Sequence, residues 1–292
     1  MKSGSIRSSA MKSMLFLILL CNYAKAQESF SYLKNNMIMV EGGTFTMGEK
    51  EDRDSICTRV ERPAHQVTVS SFYIDKYDVT VKEFEVFAKE TGYKTDAEKG
   101  AGSSILKDTA WSRDSIINWR DNARGYPLYD NEKNNPVIHI SLNDANEYCR
   151  WLTHKTGQTY RLPTEAEWEF AARGGNKSKG YKYAGSNSLD SVAWYIRNSH
   201  DKTHPVGQKK PNELGLYDMS GNVWQWCADR FDVSFYLLSP EKDPTGPIIG
   251  RFYVCRGGSF LHFANDCRIA MRTGREAWHQ SSRHGFRVVR DL

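Results

Sequence analysis

Apolar and polar residues alternate in short runs along this chain, and each run is long enough for one small element. From Met37 to Gly48 the alternation breaks at Gly42-Gly43, which predicts a hairpin turning at the glycines. A charged stretch from Glu49 to Arg62 follows. His65-Gln-Val-Thr-Val69 then alternates strictly, the pattern of a strand with one buried face. Thr80 with Glu83 predicts a capping box that opens an amphipathic helix through Phe84, Phe87 and Ala88. A second capped helix is predicted from Ser141. A third is predicted from Thr164 with Glu167, ending at Gly174-Gly175. Residues 92–135, rich in Gly, Ser, Asp and Asn, read as a long irregular loop carrying Trp111 and Trp119. Short helices and many short strands without a βαβ rhythm predict an α+β fold and exclude a doubly wound sheet. No fixed-period repeat, low-complexity tract or linker divides the chain, so one domain is expected.

Composition changes this picture at the N-terminus. Lys12, the apolar run Met14–Leu20 and Ala24-Lys-Ala26 form the pattern of a secretory signal peptide over residues 1–26, too short to span a bilayer. Residues 27–36 then form a lead-in, and the domain proper runs from 37 to 292. An exported protein, periplasmic or secreted, is expected. Lipid anchoring through Cys21 is the lesser alternative, because Leu20 is bulky for a lipidation site. The formal charge of +5 includes Lys2, Arg7, Lys12 and Lys25, so the mature chain carries about +1. With no basic run, nucleic-acid binding is excluded. Export leaves Cys57, Cys149, Cys227, Cys255 and Cys267, an odd number, so at least one thiol is free, metal-bound or paired with another molecule.

Chemistry concentrates near the C-terminus, where Gly257-Gly258 predicts a close approach of two backbone segments. His262 and Cys267 are spaced to reach one pocket from a single loop. Joined by His279 and His284, they form a set that zinc would accept.

Taken in order, Gly-Gly-Thr-Phe-Thr-Met-Gly48, Val79-Thr80, Arg161-Leu-Pro-Thr-Glu-Ala-Glu-Trp-Glu-Phe-Ala-Ala-Arg-Gly-Gly175, Gly215-Leu-Tyr-Asp-Met-Ser-Gly-Asn-Val-Trp-Gln-Trp226, Arg256-Gly-Gly-Ser259 and Gly285-Phe-Arg-Val-Val-Arg290 resemble the sulfatase-modifying-factor family. Its best-known members are formylglycine-generating enzymes. The resemblance runs from about Met37 to the C-terminus. It implies a single C-type-lectin-like domain, rich in loops, with short helices and short antiparallel strands. It also implies copper- and oxygen-dependent oxidation of a sulfatase cysteine to formylglycine. The family holds copper(I), a soft ion, with two thiolates. Here Cys267 stands at the second position, as ligand and nucleophile, and His262 replaces the first cysteine as a harder ligand. Ser259 and Trp224 match positions in the family's active pocket. The resemblance also implies a structural calcium held by the side chains of Asp218 and Gln225 and the carbonyls of Gly221 and Val223. Gln225 stands where a glutamate is usual. A second calcium site would fall in 191–200. Cys149 matches a half-cystine whose partner position, near Val288, is not cysteine, and pairing of Cys227 with Cys255 stays open.

Two functions follow. One is an exported cysteine oxidase acting on a protein substrate. The other is a non-catalytic binding or assembly module, with residues 92–135 as the surface that meets a protein or glycan partner.

Overall fold

Three capping boxes open the three longest helices in a computed structural model, which describes residues 36–49 and 59–292. The expected signal peptide and Cys57 lie outside the described residues. Helix α1 (Val81–Thr91) starts where the Thr80 hydroxyl accepts from the Glu83 amide, and the Glu83 carboxylate accepts from the Thr80 amide at 2.7 Å. The same reciprocal bonds open α2 (Leu142–Thr156) at Ser141 with Asp144 and α3 (Glu165–Ala172) at Thr164 with Glu167. A single further turn, α4, covers Leu189–Val192.

Twelve short strands surround these helices: β1 (Met37–Val40), β2 (Gly43–Met47), β3 (His65–Val69), β4 (Phe72–Asp75), β5 (Ser103–Lys107), β6 (Ala110–Asp114), β7 (Tyr160–Arg161), β8 (Trp224–Arg230), β9 (Phe252–Arg256), β10 (Arg272–Glu276), β11 (His284–Phe286) and β12 (Val289–Arg290). They form two four-stranded sheets, ordered β1-β4-β12-β7 and β10-β9-β8-β11, and two two-stranded pairs, β2-β3 and β5-β6. All the pairings with an assigned register are antiparallel except β8 with β11. Residues Ile38–Leu292 pack as one unit. No described helix is long and apolar enough to cross a membrane.

Two expectations change. The predicted hairpin at Gly42-Gly43 does not form, because β1 and β2 enter different sheets. Gly42 instead passes against the chain after β3, where a Cβ would sit 2.6 Å from the Val69 carbonyl oxygen. Alternation identified both strands but carried no information on their partners. Residues 92–135 are not an irregular loop throughout. They hold a π-helical turn, Ala97–Ala101, and the β5–β6 hairpin. Trp119, which is buried, fastens this insertion by donating to Glu98 Oε2 at 3.1 Å. With only Ser103 and Ile105 buried along β5, its hydrophobic signal was too short to read.

The centre of the fold is more charged than its pattern suggests. Glu165 and Glu169, on α3, point inward and are buried. Glu165 accepts a forked pair of bonds from Arg272 at 2.6 and 2.7 Å, and Glu169 pairs with Arg256 and Arg173. Burial would raise the Glu169 pKa, but the two guanidiniums outweigh it and hold the carboxyl below its usual range. Glu165 and Glu169, within Arg161-Leu-Pro-Thr-Glu-Ala-Glu-Trp-Glu169, therefore tie α3 to β10 and β9. That tie positions the Arg256-Gly-Gly-Ser turn.

Candidate functional site

Glycine geometry brings the expected residues together at the end of β9. Gly257 and Gly258 have φ of +96° and +76°, and a Cβ on Gly258 would lie 2.7 Å from the Cys267 sulfur. The close approach expected at this glycine pair is thus made to the turn carrying Cys267. The Gly221 amide donates to Gly257 O at 2.7 Å, and the Phe260 amide to Asn222 O at 2.8 Å. These bonds seat the segment before Trp224 against the one after it.

His262 lies in the middle of a closed set of hydrogen bonds. Its Nδ1 is 2.6 Å from Ser259 Oγ. Its Nε2 accepts from Trp224 Nε1 at 3.3 Å and faces Arg283 Nη1 at 3.4 Å. Indole and guanidinium nitrogens can only donate, so Nε2 carries no proton and Nδ1–H donates to Ser259. This tautomer cannot take a proton from Ser259, so the pair is no serine–histidine nucleophile. Burial, followed by the charges of Arg283 and Arg275, pulls the His262 pKa down to about 3.

Cys267 is fully buried beside Tyr183, Leu189 and Tyr195. The Ser259 amide faces its sulfur and favours a thiolate, but burial dominates, and Asp266 adds to it. The thiol is pushed well above its ordinary range. Neither group fits copper(I). One nitrogen of His262 holds a proton, the other meets two donors, and two arginine charges oppose a cation. Among the described residues, no cluster of three or more His, Cys, Asp or Glu side chains could hold a metal ion. His279 and His284 touch edge to face, 5.0 Å between ring centres.

Packing around Asp218 bears on the expected calcium site. Trp168 Nε1 donates to Gln225 Oε1 at 2.7 Å, and Arg287 Nε donates to the same oxygen at 3.2 Å. Both are obligate donors, so the amide cannot be flipped. Gln225 Nε2 therefore donates to the Asp218 backbone carbonyl, 2.8 Å away, and both ends of the amide are engaged within the protein. The Asp218 carboxylate accepts from Gly207 through Oδ2, while Oδ1 is buried without a partner. Burial lifts its pKa to about 6 against a partial pull from the Gly207 amide and Arg287. Of the expected calcium set, the Gln225 oxygen is engaged by Trp168 and Arg287, and Arg287 already places a positive charge by Asp218, so the side-chain oxygen left over is Asp218 Oδ1. The cysteines expected to be open in pairing, Cys149, Cys227 and Cys255, are buried free thiols.

Two features were missed from sequence. One is a cleft of about 620 Å³ with a mixed lining, in which Ile105, Leu106, Ile116, Ile117, Tyr126 and Leu261 stand beside the charged Lys107, Asp108, Asp114, Arg124 and Asp201. Most of its wall comes from residues 92–135, and Leu261, next in the chain to His262, completes it. The other is Arg283, whose guanidinium stacks on Trp111 at 3.8 Å to the ring centre. No spacing rule links residues 111 and 283.

A family model for the sulfatase-modifying factor enzyme 1-like domain matches residues 23–292. The chain belongs to that family. It is 35% identical over 289 aligned positions to the formylglycine-generating enzyme of Streptomyces coelicolor, covering 87% of this chain and 88% of the relative. It is 31% identical over 280 positions to a protein named chaperone LppX from Paenibacillus barcinonensis, covering 88% of this chain and 90% of the relative. A solved structure of PvdO from Pseudomonas aeruginosa superposes with a TM-score of 0.70 at 28% identity, covering 88% of this chain and 94% of PvdO. These likenesses agree with the expected single α+β domain of the formylglycine-generating-enzyme type.

Proposed function

We propose that this family member is an exported, non-catalytic binding or assembly module that receives a segment of a protein partner in the cleft beside His262. The observation that carries this reading is the closed hydrogen bonding of His262, which leaves no nitrogen for a metal and no base for Ser259. Loss of metal-binding side chains removes an activity while leaving the fold intact. The cleft supports a binding role, since the insertion that lines it also exposes Ile116, Tyr126 and Tyr129 around it. The likeness to a protein named as a chaperone supports a protein partner.

The test is incubation of the purified chain with copper(I), oxygen and a Cys-x-Pro-x-Arg peptide, followed by mass spectrometry. No aldehyde is expected. Aldehyde formed by wild type and lost in Cys267→Ser would overturn the reading in favour of the oxidase.

A further inference from the structure

Buried arginines in this chain are paired with acids wherever they hold the fold together. Arg256 meets Glu169, Arg268 meets Glu61, Arg272 meets Glu165 and Arg287 approaches Asp78. Arg283 and Arg275 depart from that rule. Neither makes an ion pair among the described residues, although both are half-buried and close enough to depress the same histidines. Arg283 stacks on Trp111, and its Nε is buried with no hydrogen-bond acceptor. Nearby, His279 Nε2 is likewise buried and without a partner. Arg283 has a neutral imidazole nitrogen at 3.4 Å and the attraction of Asp266, and Arg275 donates to Thr273 Oγ1 and Gly274 O. Both guanidiniums are thus hydrogen-bonded yet lack the direct carboxylate contact that an arriving anion would supply.

Continuity with the cleft indicates where such an anion would come from. Trp111 sits opposite Leu106 across the β5–β6 pair, and Leu106 lines the cleft. Arg283 also contacts His262, whose chain neighbour Leu261 lines the same cleft. Arg283 thus touches Trp111 and His262, each next to a lining residue, which puts it at the margin of a cleft whose own lining carries Asp108, Asp114 and Asp201 beside Lys107 and Arg124.

We propose that Arg283, flanked by Arg275 and backed by Trp111, forms an oxyanion subsite that takes a carboxylate of the protein segment bound in the cleft. The proposal rests on the binding-module reading and specifies its ligand. Arg283 supplies a planar fork suited to two-point recognition of a carboxylate, and Arg275 adds charge.

The full chain, with 15N-labelled arginine side chains, is titrated with sodium acetate, inorganic phosphate and pooled octapeptides. The pools are randomised except at one position fixed as Glu, Gln or Lys. Acetate is expected to shift the Arg283 Nε–H resonance saturably, and Arg275→Gln should weaken the midpoint about tenfold, as for one charge-assisted contact. The Glu pool should act at a lower concentration than the Gln or Lys pool. Arg283→Lys, which keeps the charge but not the fork, should lose this preference while near-ultraviolet dichroism shows an intact fold. No saturable shift with acetate, or equal action by the Glu and Gln pools, would overturn the proposal. Saturation by phosphate alone would overturn the carboxylate assignment. Aldehyde production in the copper assay would defeat the non-catalytic reading and leave a measured oxyanion site standing.

Discussion

Replacing Asp218 by Asn separates the two accounts of its pocket. The substitution removes the charge and keeps the shape. Folded Asp218 titrates near 6 rather than at the ordinary 3.8, mainly because it is buried. At about 1.4 kcal/mol per unit, a shift of this size corresponds to about 3 kcal/mol. The sign follows from proton counts. Between 3.8 and about 6 the folded carboxyl keeps a proton that the unfolded chain releases. The stability it contributes is therefore full below 3.8 and is lost as pH rises through about 6. Asparagine is neutral throughout, so its stability relative to wild type should rise by about 3 kcal/mol between about pH 4 and pH 7.5. Relief of Asp78, whose buried carboxyl is raised first by burial and further by the Asp218 charge, acts in the same direction. Urea unfolding of both proteins at the two pH values measures the difference, and effects independent of pH cancel. A relative stability that stays flat or falls with pH would show that burial does not hold a proton on Asp218. A fall that appears only when calcium is added would show that a cation neutralises the carboxylate after all.

Other substitutions test other parts of the structure. Glu165→Gln breaks the forked bond to Arg272 in the core and should cost about 3 kcal/mol or more in urea unfolding; a loss below about 1 kcal/mol would mean the pair is dispensable. Ser259→Ala leaves His262 Nδ1–H without its acceptor, so a loss of about 1 kcal/mol is expected, and no loss would argue against the assigned tautomer. Chelation with EDTA should leave the melting temperature unchanged in wild type. Gln225→Glu should make it calcium-dependent by restoring an oxygen toward Asp218; no response in that variant would contradict the role given to the glutamine amide.

Legibility followed the range of the interactions. The capping boxes at Thr80, Ser141 and Thr164 use residues three positions apart, so local sequence specified them and the structure contains them. Strand partners depend on contacts far along the chain, and the alternation around Gly42-Gly43 could not say that β2 pairs with β3. Ordered motifs identified the family even though the roles of Glu165 and Glu169 in the core were hidden within a helix start. A histidine, His262, at the position where the resemblance expects a copper cysteine was visible in the sequence. Its consequence was not, because Trp224 and Arg283 meet the imidazole only in three dimensions. Likewise Gln225 could be seen to lack a charge, but the direction of its amide depends on Trp168 and Arg287.

Whether His262 and Cys267 hold copper is measured by a copper(I) titration of the purified, reduced chain against a competing chelator, alongside His262→Cys and Cys267→Ser. Wild type is predicted to retain no copper, and His262→Cys to gain one equivalent by restoring the second thiolate. Retention of one equivalent by wild type, lost in Cys267→Ser, would contradict the account.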